Sequence, residues 1–141
     1  MADAAVACWD SKFRYVLWRP VTAINQSGPD GLPAGADPTW TPFLGATPAH
    51  PEYPSGHSTV SGAAEHVLAT FFGDDVAFTV TSETLPGTVR SYSSFSAALA
   101  DIHDARVFGG IHWRTACRLG SQLGSKVADW VMSHAMQDHG D

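Results

Sequence analysis

Apolar residues recur along this chain at helical spacing in four stretches, and a long stretch with no such rhythm separates the first from the second. In residues 2–18, Val6, Trp9, Phe13, Val16 and Leu17 return at three- and four-residue steps, the pattern of an amphipathic helix that Pro20 ends. Residues 20–54 hold most of the prolines (Pro20, Pro29, Pro33, Pro38, Pro42, Pro48, Pro51 and Pro54) and several glycines, too much punctuation for regular structure. This predicts one long loop, and an ordered loop of that length inside a small domain is expected to wall or cover a site. Ser55 is then placed as an N-cap, followed by Val60, Ala64, Val67, Leu68 and Phe71 along one face of a second helix that ends near Gly73.

Farther along, Phe78-Thr79-Val80-Thr81 and Thr88-Val89-Arg90 flank Leu85-Pro86-Gly87, which reads as a small hairpin or an extended excursion. Residues 94–108 form a third helical pattern. Residues 112–135 form a fourth, with Leu119, Leu123, Val127, Trp130 and Val131 at helical spacing and Gly109-Gly110 between the two. The expectation is an all-α fold, a helical bundle of about four main helices with a long Pro/Gly-rich loop, forming one domain over residues 1–141.

Composition agrees with a folded chain. Of 141 residues, 44% are hydrophobic and only 16% charged, a globular balance, and a domain of this size buries roughly two-thirds of the surface its unfolded form exposes. A net charge of −6 excludes nucleic acid as a partner, since counterion-release binding needs clustered Lys and Arg; any bound anion should be small. No run reaches the roughly 20 apolar residues that cross a bilayer, and no basic segment followed by an apolar one opens the chain, so it reads as soluble, with no membrane partner. Cys8 and Cys117 lack neighbours at metal-ligand spacing and read as buried free thiols.

Three places carry candidate chemistry. Lys12 and Arg19 lie seven residues apart on the first helix, so they are expected two turns along one face and roughly 10 Å apart by rise, with Trp9 one turn before Lys12. Pro54-Ser55-Gly56-His57 opens the second helix, where unpaired N–H groups and the positive end of the helix dipole favour an anion. Gly56 permits close approach, Ser55 offers a hydroxyl, and His57 titrates near neutrality. Arg106 and His112 flank Gly109-Gly110, a turn that can bring both side chains to one centre. Each has an ordinary alternative taken singly: a solvated basic stripe, a Ser cap with a surface histidine, and a glycine-rich connection with incidental charge.

Together, Lys12, six residues and Arg19-Pro20; then Pro54-Ser55-Gly56-His57; then Arg106, five residues and His112 resemble the three ordered motifs of the vanadium haloperoxidases and type 2 phosphatidic acid phosphatases. The stretch from Trp40 through His57 resembles the soluble haloperoxidase branch. The resemblance implies vanadate as cofactor, with phosphate able to occupy the same site. It makes His112 the metal ligand or, in a phosphatase, the nucleophile. Lys12, Arg19 and Arg106 would neutralise the anion's oxygens, and Ser55 and Gly56 would donate to them. His57 would be the acid–base residue, and Lys12 would polarise peroxide for halide attack. Trp9 and His50 resemble the halide-side residues, with a histidine at the second position closer to bromoperoxidases.

Substrates would be hydrogen peroxide and a halide. The alternatives are a soluble acid phosphatase that cleaves a phosphate monoester through a phosphohistidine, or an inactive anion-binding homologue. Two positions depart from the pattern: Ala116 stands where an acidic residue usually holds the histidine, leaving Asp104 or a backbone carbonyl as candidate partners for His112, and Ala105 stands where Ser is frequent. Ala116 also begins a stripe of small residues, with Gly120, Gly124 and Ala128, suited to close helix packing. The chain looks like the C-terminal catalytic portion of a longer haloperoxidase, so dimerisation or weak stability is expected where helix faces lack partners. His66, His103, His134 and His139 match no motif and read as surface or core histidines.

Overall fold

The computed structural model describes residues 1–26 and 36–135; Pro29, Pro33 and His139 lie outside the described residues. Within them the chain runs α1 (Ala2–Tyr15), α2 (Pro20–Asn25), α3 (Gly56–Phe72), β1 (Phe78–Thr81), β2 (Val89–Tyr92), α4 (Phe95–Phe108) and α5 (Arg114–His134). The fold is mostly helical, four main helices with one short helix and a two-stranded sheet. Among the described residues no helix is long and apolar enough to cross a membrane.

The boundaries differ from expectation at the first helix. The rhythm through Leu17 predicts a helix to Trp18, but Val16 adopts a left-handed conformation (φ 49°, ψ 47°) and donates to Lys12 O, closing α1 three residues early. Arg19 is extended, as a residue before proline prefers, and becomes the N-cap of α2 with Pro20 in its first turn. Pro20 therefore starts a helix as well as ending one, and Lys12 and Arg19 do not share a helical face. The expected structureless loop contains α2 at its head.

The buried face of α1 also differs. Val6 and Phe13 are 70% and 63% exposed, while Ala4, Cys8 and Lys12, at four-residue steps, are wholly buried. The helical period is the one the sequence predicts, but the inward side is the opposite one, because α1 lies against α3 and α5 through small residues.

The α3–α5 contact is the centre of the fold and follows from the small-residue stripe. Ala116, Gly120, Gly124 and Ala128 are all buried. A Cβ on Gly124 would stand 2.0 Å from Thr59 O, one on Gly120 2.9 Å from Ser55 O, and one on Gly62 of α3 2.7 Å from Ser121 Cα. The two backbones touch where side chains would ordinarily separate them. Ala4, Ala63 and Ala128 form the apolar core, with Val67 and Val127 against it. Both cysteines are free and buried.

The hairpin is antiparallel, with Phe78 opposite Tyr92 and Thr81 opposite Val89. Tyr92 and Arg90 both bond Asp101, tying it to α4. Residues 40–54 run back across the bundle. Leu44 N–H bonds Gly109 O at 3.2 Å, Glu52 N–H bonds Leu17 O at 3.0 Å, and Ser55 N–H bonds Ala116 O at 3.1 Å. Gly110 has φ 74° and lies against Pro42 and Trp40, so the Gly109-Gly110 turn needs both glycine's conformational freedom and its lack of a side chain.

Candidate active site

The three separated segments meet at one end of the α3–α5 pair. A cavity of about 360 Å³ opens there, and its walls include Trp9, His50, Gly56, His57, Ser61, Arg106 and His112. Six of the nine residues that the sequence singles out thus line it, while Lys12, Arg19 and Ser55 are buried and do not.

His112 occupies the turn between α4 and α5, just before the Trp113 N-cap, rather than α5 itself. It is almost fully buried. Its Nδ1 is 2.8 Å from Glu52 Oε1, and its Nε2 is 3.1 Å from Arg19 Nη1. Burial pushes its pKa down to about 4, with Arg19 and Lys12 adding to the fall and the Glu52 contact opposing it, so the ring is neutral at pH 7.

Arg19 is held on three sides. Nε donates to His50 O at 3.0 Å, Nη1 to Ile111 O at 2.8 Å, and Nη2 contacts His50 Nδ1 at 3.0 Å. Lys12 is wholly buried, and its Nζ donates to Pro51 O at 2.8 Å and Glu52 O at 3.1 Å, with the Trp9 ring centroid 5.9 Å away. Burial pushes this ammonium down to about 8, against the pull of Cys8 and Glu52. The backbone of residues 50–52 therefore anchors both cations.

Ser55 caps α3 as expected, its Oγ accepting from Ser58 N–H at 3.4 Å and from Ser58 Oγ at 3.1 Å. It is fully buried, so its hydroxyl serves the helix end and does not face the cavity. Gly56 begins α3, and a Cβ there would lie 3.2 Å from the Trp9 indole, so that ring stands over the helix N-terminus. The Trp9 and His50 rings are 5.2 Å apart. His57 sits at the exposed rim, its pKa lowered by partial burial, then by Arg106 and His50.

Glu52 is the functional candidate that reading the sequence missed. Asp104, a candidate partner for His112, instead pairs with Arg114 at 2.8 Å. Of the unmatched histidines, His66 pairs with Asp129 and His134 stacks on Trp130. His103 is half-buried on α4.

The donor set suits an oxyanion. Arg106 Nε is buried without a hydrogen-bond partner, and such a group ordinarily has one. The Arg106 side chain lines a cavity beside the first turn of a helix, whose N–H groups are unpaired within the helix, and beside the neutral ring of His112, whose lone pair accepts from Arg19. Among the described residues no group of three or more His, Cys, Asp or Glu could hold a bare cation. Vanadate, an oxyanion with one open coordination position for nitrogen, fits these residues.

A family described as the VCPO second helical-bundle domain matches residues 1–140. The vanadium chloroperoxidase of Curvularia inaequalis is 32% identical over 84 residues, covering 52% of this chain and 13% of that protein. The crystal structure of a protein described as the first bacterial vanadium-dependent iodoperoxidase superposes with a TM-score of 0.81 at 42% identity, over 94% of this chain and 30% of its own. An apo-type bacterial vanadium-dependent chloroperoxidase superposes at 0.68 with 24% identity, covering 93% of this chain and 33% of its own, a likeness of fold alone. The chain thus spans under a third of the length of the two relatives that are similar in sequence.

Proposed function

Because the chain belongs to the family of the VCPO second helical-bundle domain, we propose that it is the oxyanion-holding catalytic part of a vanadium-dependent haloperoxidase. Hydrogen peroxide, a halide ion and a proton would be converted to hypohalous acid and water, with bromide favoured. The observation that carries this reading is the meeting of Arg19, Arg106 and the Gly56 helix end around the neutral ring of His112. The bundle's likeness to a bacterial iodoperoxidase supports it.

His112 Nε2 would ligate the vanadate, and Arg19 and Arg106 would neutralise its oxygens, with Lys12 adding charge from behind. The amide of Gly56 would complete the donor set, with Ser55 fixing the helix end from within rather than donating to the anion as the motif implies. The chemistry that vanadate supplies when bound is Lewis-acid activation of hydrogen peroxide toward a halide. His57, unprotonated at neutral pH and open to solvent at the rim, is suited to take a proton from incoming peroxide and return it to the departing oxygen. Lys12 keeps one N–H beyond the two given to Pro51 and Glu52, which suits it to polarise an oxygen as negative charge grows there. Trp9 and His50 form the wall from which the halide would approach.

The test is protein loaded with orthovanadate, given peroxide and bromide with a phenol-red-type reporter, and separately a phosphate monoester. The expected result is bromination that disappears in His112→Ala and an intact ester, with iodide also oxidised, since it gives up electrons more easily than bromide. Ester cleavage without bromination, or neither reaction, overturns the reading.

A further inference from the structure

The position four residues after His112 is where the resemblance leads one to look for a carboxylate, and it holds Ala116. That position is consumed by packing: Ala116 is buried at the head of the α5 stripe, and its carbonyl accepts Ser55 N–H. We propose that Glu52, from the loop ahead of α3, is the positioning residue for His112, holding the ring as the Nδ1–H tautomer, so that the Nε2 lone pair, which accepts from Arg19 in the anion-free protein, is the one the oxyanion would take over. This rests on the reading above that His112 Nε2 meets the anion.

Two contacts select that tautomer independently. Glu52 Oε1 accepts the Trp113 backbone N–H at 3.0 Å, which can only donate, so this oxygen is an acceptor and the His112 Nδ1 it faces at 2.8 Å is a donor. At the other end of the ring, Arg19 Nη1 can only donate, so Nε2, 3.1 Å away, must be an acceptor. A neutral ring with its proton on Nδ1 satisfies both ends, and the opposite tautomer satisfies neither.

Glu52 is itself fixed before it fixes anything else. Its N–H bonds Leu17 O, its carbonyl accepts from Lys12 Nζ, and its side chain is buried. The carboxylate therefore starts from a peptide pinned on both sides, as a group that sets another side chain's orientation should. Because the same peptide holds Lys12, one three-residue segment places the ligating ring and a cation together.

Nitrogen-15 spectra of the His112 ring test this in the full chain without added anion. Wild type should show one neutral ring protonated at Nδ1, with that proton protected from exchange. Glu52→Gln keeps a carbonyl oxygen for both donors and should retain the signal, whereas Glu52→Ala should lose the protected proton. Titration with orthovanadate should show affinity reduced about 10- to 100-fold in Glu52→Ala and largely recovered in Glu52→Gln.

A wild-type ring protonated at Nε2, or at both nitrogens near pH 7, overturns the proposal without any variant. So does a Glu52→Ala protein that keeps both the protected proton and wild-type vanadate affinity. If Glu52→Ala does not fold, the wild-type and Glu52→Gln spectra decide. If the protected proton depends on Glu52 while vanadate binds no variant, the positioning role stands and the haloperoxidase reading falls.

Discussion

Replacing Gly124 with alanine should destabilise the protein, against the usual sign of that change. Inside a helix, Gly→Ala ordinarily stabilises by about 0.5–1 kcal/mol, because alanine loses less backbone freedom on folding. Here the added Cβ would lie 2.0 Å from Thr59 O and 2.7 Å from Ala63 N, and both are backbone atoms of α3. No rotamer can relieve that overlap, so α3 and α5 must part by about an ångström or more. Overpacking of this kind costs typically about 1–3 kcal/mol, and contact with backbone on two sides puts it at the upper end. The net expectation is a loss of about 2 kcal/mol, or roughly a 7 °C fall in Tm for a chain of this length. Thermal and urea melts followed by circular dichroism measure it, with the exposed Gln122→Ala as a control that should stay within about 0.5 kcal/mol. A Gly124→Ala protein as stable as wild type, or more so, would refute the close-packed α3–α5 contact.

Arg106→Met should raise the Tm of the anion-free protein by a few degrees, because it removes a buried donor that has no partner, worth about 1 kcal/mol. It should also abolish the stabilisation that orthovanadate or phosphate gives wild type in a thermal-shift titration, and a lower anion-free Tm counts against the site. With pH, the His112 ring pushed down to about 4 means that the unfolded chain takes its proton first as pH falls. The His112 contribution is therefore complete above about pH 6.5 and lost toward pH 4, by up to about 3 kcal/mol, and urea midpoints against pH should show a slope in that range that His112→Ala flattens. Lys12, pushed down to about 8, acts at the other end, so stability should climb between pH 8 and about 10.5 as its buried charge is discharged; an unchanged slope in Lys12→Met would contradict this. Gly56→Ala sets a Cβ 3.2 Å from the Trp9 ring, so the indole must shift. Trp fluorescence should change and vanadate affinity fall several-fold while Tm moves by only a few degrees.

Elements with a local cause were legible in the sequence. The α3 start followed from the Ser55 cap, the hairpin from Leu85-Pro86-Gly87, and the α3–α5 contact from the stripe of Ala116, Gly120, Gly124 and Ala128. What failed to show was whatever tertiary contact decides. The sequence rhythm of α1 continues to Leu17, but the Val16 turn and the Pro20 restart redirect the chain, which carries Arg19 off the helix and onto His112. The larger apolar residues of α1 point outward, because the partner surface accepts only Ala4, Cys8 and the Lys12 stem. Glu52 had no local signal at all, since an acidic residue between two prolines' peptides reads as loop polarity. Only its distance from His112, 60 positions away, gives it meaning.

The charge count around the cavity explains why such an arrangement favours an anion over any other occupant. Lys12, Arg19 and Arg106 bring three positive charges into low-dielectric surroundings, and Glu52 is the carboxylate at their centre. His112, His50 and His57 all have lowered pKa values and add no charge at neutral pH. Backbone carbonyls of Pro51, Glu52, His50 and Ile111 orient Lys12 and Arg19 without cancelling their charge. About two positive charges therefore remain to be balanced, and burying them uncompensated is costly. A tetrahedral oxyanion carrying between one and two negative charges near neutral pH offsets most of that excess and would meet Arg106 and the N–H groups at the start of α3. Folding supplies the uncompensated charge and binding removes it, so the same residues that limit the stability of the protein alone are those that hold its ligand.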